Sequence, residues 1–251
     1  MELTTFLILV AAGLAAGIIN AVVGSGTLIV YPVLIALGVP PVLANGTNTT
    51  GLCLGSLASA VGYRRELKGR MRRLAAPLIG TVVAATFGAW LVIALPAHVF
   101  ASVVPWLILM AAVMVAIQPR VGRWLKSRRG DKPHSLVTLT AGTSTVGIYG
   151  GYFGAAQGVF YMAVLGVLYD SNIQRSNGAK NLLASAANLT AAVVFALSGR
   201  VLWLAALAVA IGAIAGGFTG AHIGRRLPDK AMRIALVTIA VISAVVLLVK
   251  R

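Results

Sequence analysis

Residues 17–24 read Gly-Ile-Ile-Asn-Ala-Val-Val-Gly, and residues 147–154 read Gly-Ile-Tyr-Gly-Gly-Tyr-Phe-Gly. The likeness continues along the chain at spacings of 130 to 132 residues. Further equivalent pairs are Tyr31 and Tyr161, Asn45 and Asn177, Gly80 and Gly212, Gly88 and Gly220, and Pro96 and Pro228. This internal repeat predicts two halves of similar structure.

The basic residues are distributed in opposite ways in the two halves. The connector 63–73 holds six Lys or Arg residues, whereas its counterpart at 198–200 holds only Arg200. The segment 96–98 has none, whereas its counterpart at 225–233 holds four. Because basic connectors stay in the cytoplasm, the two halves are predicted to have opposite orientations in a membrane.

The composition independently predicts a membrane protein. Of the 251 residues, 59% are apolar and 10% are charged, and the mean hydropathy is +0.94. Apolar runs of spanning length, about 20 residues, occur at 41–62, 73–95, 98–118, 177–197, 201–222 and 231–249. We therefore expect six full membrane helices.

The two halves open with matching segments, 3–37 and 135–169, that do not resemble ordinary pairs of spanning helices. The first is interrupted at Gly24-Ser25-Gly26 and the second from Gly150 to Gly158. Short pieces on either side predict a broken or re-entrant hairpin. Non-helical backbone at membrane depth is tolerated only where protein buries it or where it lines a polar cavity. Both breaks are therefore expected to face a substrate path.

These features predict an all-α polytopic membrane protein made of two inverted-topology repeats. Each repeat is a broken or re-entrant helix hairpin plus three spanning helices. The repeats are 1–118 and 135–251, joined by a basic cytoplasmic linker at 119–134. With that linker inside, both termini lie outside the cytoplasm. The expected location is the cell (inner) membrane.

The acidic residues argue against a cationic cargo. All five, Glu2, Glu66, Asp131, Asp170 and Asp229, lie in connectors or at the N-terminus, so the spans lack a carboxylate that could bind a cation. The polar candidates within the membrane are instead cationic or neutral. Those proposed to bind substrate are Asn20, Ser25, Thr27, Asn45, Asn48, Thr49, Gln157, Asn177, Lys180 and Asn181, and Asn188 is a further polar residue in a span.

Lys180 is the strongest candidate for a substrate-binding residue. It follows Asn177-Gly178-Ala179, in the first turn of the predicted span 177–197, where its ammonium could neutralise a bound anion. The alternative is a lysine near the cytoplasmic end that extends its side chain to lipid head groups.

The other candidates also have structural alternatives. Asn45, Asn48 and Thr49 could donate hydrogen bonds to an anion, or could cap the helix after Pro40-Pro41. The predicted helix breaks at Gly24, Gly26 and Gly154 could face the substrate path, or the glycines could serve only close helix packing.

Other functional classes find little support in the sequence. The three histidines are scattered and Cys53 is the single cysteine, so neither a metal site nor a catalytic constellation is indicated. We expect no cofactor and no enzymatic activity, although an intramembrane enzyme is kept as a less favoured alternative. The charge of +16 is explained by orientation and attraction to anionic lipids, so no nucleic-acid partner is expected.

Several motifs resemble the sulfite exporter TauE/SafE family of membrane permeases over essentially the whole chain. They are Gly17-x-x-Asn20 with Gly24-Ser25-Gly26-x-Leu28 and Pro32, Gly38-Val-Pro-Pro41 with Ala44-Asn45-x-Thr47-Asn48, Tyr63-Arg64-Arg65, Gly150-Gly151-Tyr152-Phe153-Gly154-Ala155, and Asn177-Gly178-Ala179-Lys180-Asn181. The resemblance implies export of sulfite, sulfonates such as sulfoacetate, or related organic anions.

The sequence and the resemblance together predict a secondary permease for a small sulfur-containing anion, working by alternating access around a midplane site. The expected partners are that anion and membrane lipids. A co-transported proton and a second copy of the chain in a homodimer are left open. An anion channel or an importer of another small organic anion is the alternative within transport. A non-transport scaffold would leave the paired breaks unexplained.

Overall fold

The computed structural model describes residues 1–127, 135–170, 172–223 and 229–249. These residues form eleven helices and no strand. In chain order the helices are α1 (Leu3–Val22), α2 (Thr27–Ala36), α3 (Pro41–Gly62), α4 (Arg64–Leu67), α5 (Met71–Ala94), α6 (Ala97–Ser127), α7 (Leu136–Tyr152), α8 (Gln157–Leu168), α9 (Ile173–Leu197), α10 (Trp203–Ile223) and α11 (Asp229–Val249).

Five of the described helices are long and apolar enough to cross a membrane. They are α1, α5, the segment Ala97–Arg120 of α6, α9, and the segment Trp203–His222 of α10. The prediction of a multi-pass, all-helical protein is therefore supported. Helix α1 is the first part of the first predicted hairpin. With 20 residues, it is longer than a re-entrant piece needs to be.

One predicted span falls outside this set for a physical reason. Helix α3 has 22 residues, but buried polar side chains such as Asn45 and Asn48 lower its hydropathy. Helix α11 has 21 residues, of which the segment Leu236–Val249 is apolar. A polar helix can still lie at membrane depth when other helices surround it.

The linker predicted at 119–134 is partly helical. Helix α6 continues through Pro119 to Ser127, and 128–134 lies outside the described residues. Proline removes one backbone donor, but its fixed φ matches the helical value, so a helix can run through it.

Helices of one half pack against helices of the other half, and equivalent helices make equivalent contacts. Helix α1 packs against α10, and its equivalent α7 packs against α5. Likewise α2 contacts α11 as α8 contacts α6. Glycines bring the first pairs close, since a Cβ on Gly216 would collide with the Leu14 carbonyl and one on Gly151 with the Ala85 carbonyl. Small residues at such positions let helix backbones approach.

The equivalent helices α3 and α9 cross in the middle of the molecule and run antiparallel. Gly46, near the start of α3, contacts Phe195 near the end of α9. Midway along, Ser185 donates from its hydroxyl to the Ser56 carbonyl at 2.9 Å. At the far end Gly178 contacts Leu67 just beyond α3.

An aromatic cluster joins the two halves next to the second helix break. The ring of Phe153 packs edge-on against Tyr31 of α2, with centroids 5.2 Å apart. It also packs against Phe100 of α6 at 6.2 Å. All three side chains are buried, and they belong to the main hydrophobic core.

Charged connectors of the two halves meet at one end of the bundle. Arg70, between α4 and α5, forms an ion pair with Asp170, between α8 and α9. Arg175 lies 3.7 Å from the same carboxylate, and the Arg73 guanidinium lies 5.5 Å above the Tyr169 ring. The connector 63–73, predicted to be cytoplasmic, therefore lies beside the connector between α8 and α9.

This arrangement predicts which connectors are accessible from which side of the membrane. In a Cys53→Ser background, Lys68→Cys should react with a membrane-impermeant maleimide only after the cells are permeabilised. Arg200→Cys should react in intact cells, because connectors with few cations lie outside. Equal labelling of both positions from one side would contradict the charge-based orientation.

Candidate functional site

The two helix breaks touch each other inside the bundle. The backbone leaves helical geometry at Gly24, with φ of 80°, and at Gly154 and Ala156, with φ of 72° and 57°. The Gly158 amide donates to the Gly24 carbonyl at 3.1 Å. A Cβ on Gly158 would lie 2.5 Å from Gly24 Cα, so the contact requires glycine.

Lys180 reaches from the second half to the end of α1. Its side chain is fully buried, at 0% exposure. The Nζ atom donates to the carbonyl oxygens of Ala21 and Val22, both at 3.2 Å. Asn181 also donates to the Ala21 oxygen, at 3.4 Å. The carbonyls at a helix C-terminus lack intrahelical partners and carry partial negative charge, so a lysine there stabilises the break.

The helix that carries Lys180 begins earlier than the sequence predicts. The predicted span began at 177, but α9 begins at Ile173 because the Asn172 side chain accepts from the Gln174 and Arg175 amides at 2.9 and 3.2 Å. Lys180 therefore lies about two turns into the helix rather than in its first turn. Full burial of the side chain also places it away from the surface that the lipid-head alternative requires.

Among the described residues, no carboxylate forms an ion pair with the side-chain nitrogen of Lys180. Within residues 1–127, 135–170, 172–223 and 229–249, the ion pairs join Asp170 to Arg70 and Arg175, and none involves Lys180. A buried cation is costly unless a charge or several dipoles compensate it. Two carbonyl dipoles compensate it in part, which leaves the site favourable for an anion.

In the first half, the residues equivalent to Asn177 and Lys180 are the neutral Asn45 and Asn48. Asn45 donates to the Tyr152 carbonyl at 3.0 Å, at the end of α7. Asn48, equivalent to Lys180, donates to the Thr27 hydroxyl at 3.3 Å. Each hairpin break is thus held by a donor from the other half, but only one of these donors is a cation.

A chain of polar side chains links the two breaks through the crossing of α3 and α9. Gln157 donates to Asn188 at 2.8 Å, and Asn188 donates to the Ser56 hydroxyl at 2.9 Å. Asn20 donates to the same hydroxyl at 2.9 Å. The Asn20 oxygen accepts from the Gly26 amide at 3.5 Å. The candidates Asn20, Gln157 and Gly26 are therefore connected.

Several candidates keep unused hydrogen-bonding capacity. In the described part of the chain, the buried side-chain oxygens without a partner include Ser25 Oγ, Asn45 Oδ1, Asn48 Oδ1 and Gln157 Oε1. Buried polar atoms normally have partners, so these four oxygens are candidates for contact with a ligand or water.

The remaining candidates lie beside this network rather than in it. Thr49 is buried and Asn177 is half-buried, and neither side chain makes a hydrogen bond to another candidate among the described residues. Sequence analysis missed Ser56, which joins both halves. Its signal was present, since Ser56 lies 132 residues before Asn188, at the spacing of the repeat.

The long apolar helices of the fold are those of a multi-pass membrane protein. The chain belongs to the sulfite exporter TauE/SafE family, whose model matches residues 9–247, and the resemblance seen in the motifs is confirmed. No solved structure shows a significant match.

Three relatives show how far the similarity extends. The probable membrane transporter protein YfcA of Escherichia coli (strain K12) is 28% identical over 231 residues, covering 92% of this chain and 83% of that protein. The probable membrane transporter protein ORF9 of Sinorhizobium sp is 26% identical, covering 94% and 90%. A probable membrane transporter protein of Haemophilus influenzae is 27% identical, covering 85% and 83%.

The contact between the breaks predicts a stability defect. Gly158→Ala places a Cβ against Gly24 Cα, and such overpacking costs about 1–3 kcal/mol. The melting temperature of the purified protein should fall. Gly69→Asn is the control, because Gly69 has open space around it and a left-handed φ that asparagine tolerates. A normal melting temperature for Gly158→Ala would mean that the breaks separate easily.

Proposed function

We propose that the protein is a secondary permease for a small sulfur-containing anion such as sulfite, sulfoacetate or a related organosulfonate, with export as its direction. The observation that carries the proposal is the fully buried Lys180 ammonium, which no described carboxylate neutralises. A negatively charged ligand beside Nζ would supply the missing charge. The description of the family supplies sulfite as the first anion to test.

Polar side chains buried near the two helix breaks suit an oxyanion. Asn45, Asn48 and Gln157 are buried near the helix ends, and amide and hydroxyl groups can donate hydrogen bonds to sulfonate oxygens once their side chains rotate. Helices α2 and α8 begin at the two breaks. Their N-termini carry partial positive charge that favours anions.

The inverted arrangement of the two repeats is part of the same proposal. It is supported by the antiparallel crossing of α3 and α9, which are equivalent elements. It is also supported by the opposite distribution of basic connectors in the sequence. Inverted repeats that share a midplane site can expose it alternately to either side.

Alternating access requires contacts that can separate without loss of the fold. The contact of Gly24 with Gly158 consists of backbone atoms and one hydrogen bond. The bonds of Lys180 and Asn45 to the opposite hairpin are also few. We propose that these small contacts rearrange as the site changes sides, while the larger interfaces α1–α10 and α5–α7, which also join the two halves, remain packed.

Removing the buried charge tests the proposal. Lys180→Met keeps much of the side-chain volume but removes a charge-assisted hydrogen bond. Binding of sulfite or sulfoacetate should weaken by roughly 1.5–3 kcal/mol, or about tenfold to a hundredfold. Asn45→Leu and Asn48→Leu should weaken binding less. Titration of the purified protein measures each effect.

The matched control is Lys68→Met, the same change at an exposed position in the connector before α5. It should bind with wild-type affinity. If folded Lys180→Met bound both anions as tightly as the wild type, Lys180 would only cap α1, and the anion site would have to be sought elsewhere.

The connector acids should not carry the coupling. Asp170 is engaged by Arg70 and Arg175, so Asp170→Asn is expected to lower stability while leaving gradient-driven transport measurable. Neutralising Glu66, Asp131 or Asp229 singly should also leave coupled flux. Flux into proteoliposomes with an imposed pH gradient measures this. Complete loss of coupling in any one folded variant would place that acid in the transport path.

A further inference from the structure

Because no described carboxylate pairs with Lys180, the proton on its side-chain nitrogen becomes part of the binding reaction. In the described structure Nζ contacts two neutral carbonyl oxygens and no carboxylate. An anion beside Nζ stabilises the ammonium, and the ammonium stabilises the anion. By linkage, protonation of Nζ and binding of the anion favour each other by the same factor.

No titratable group on the described elements forms an ion pair with Lys180. The groups on described elements that pack against α9 are Cys53 on α3, Glu66 with Arg64 and Arg65 on α4, Arg72 and Arg73 on α5, Tyr149 and Tyr152 on α7, and Tyr161 on α8. Glu66 contacts Gly178. Positions 178 and 180 are separated by about 200° around a helix, so Lys180 points away from that contact.

We propose that Lys180 carries one proton with each anion, so that transport of the sulfur oxyanion is coupled to protons through an amine rather than a carboxylate. The inference rests on the proposed function. On the loading side the neutral amine takes a proton from water and the ammonium binds the anion. On the other side the anion leaves and the proton returns to water. One N–H bond forms and breaks per cycle, without electron transfer.

This route explains how coupling can occur in a chain without intramembrane carboxylates. The sequence places every acid in a connector or at the N-terminus. A carrier that returned with a buried, uncompensated ammonium would face a large electrostatic barrier. A neutral amine can return more easily, so the empty carrier moves back without the proton.

Proton uptake on binding can be measured directly. Sulfoacetate is the probe, since its sulfonate and carboxylate are both ionised between about pH 6 and pH 8, and any proton taken up must therefore be bound by the protein. Calorimetric titration of the full-length protein in two buffers with different ionisation enthalpies gives the number of protons per anion. We expect uptake that rises toward one proton as pH increases, with affinity falling by up to about tenfold per pH unit.

Two variants assign the proton to Lys180. Lys180→Arg retains a cation that does not deprotonate, so it should bind sulfoacetate without proton uptake. Lys180→Met should show weak binding and no uptake. Lys68→Met, exposed in the connector, should retain the wild-type uptake. The wild-type measurement is decisive even where the larger arginine does not fit.

The outcomes separate the inference from the proposed function. If the wild type bound sulfoacetate without proton uptake throughout this range, the inference would be wrong and the anion site would stand. Uptake that persisted in Lys180→Met would assign the proton to another group and overturn the inference. If the wild type bound neither sulfoacetate nor sulfite, the proposed function would fail and the inference with it.

Discussion

The hydrogen bonds from Lys180 to the end of α1 are the interaction on which the arrangement of the two halves depends. A helix that stops inside a membrane exposes carbonyls that lipid cannot satisfy. Here the donor for Ala21 and Val22 comes from the other half of the chain. Asn45 does the same for Tyr152 at the end of α7. Neither hairpin break is satisfied until both halves have packed together.

Much of the architecture could be predicted because it follows from local features. Glycines interrupt the apolar openings near Gly24 and Gly154, where the backbone adopts positive φ, and apolar runs locate most long helices. Helix ends were less predictable. The cap at Asn172 extends α9 beyond its apolar run, and α6 continues through Pro119, because capping and packing can prolong a helix into polar sequence.

The candidate site was predictable in composition but not in connectivity. A sequence shows that Lys180 is a cation among small polar residues, yet its partner Ala21 is 159 residues away. Ser56 went unnoticed because a single serine in an apolar helix is unremarkable in isolation. Its importance depends on the crossing of α3 and α9, which brings Asn20 and Asn188 to one hydroxyl. Such convergence is a property of the fold.

The two halves share a structural plan but differ in electrostatics, and this difference limits the mechanism. Position 180 holds lysine where the equivalent position 48 holds asparagine, so the buried site has one positive charge rather than two. A second buried cation nearby would repel the first and raise the cost of desolvation. One cation, surrounded by neutral donors, suits a single small anion. In the proposed function, the internal repeat lets the site face either side of the membrane, and the difference between positions 48 and 180 gives the site its preference for an anion.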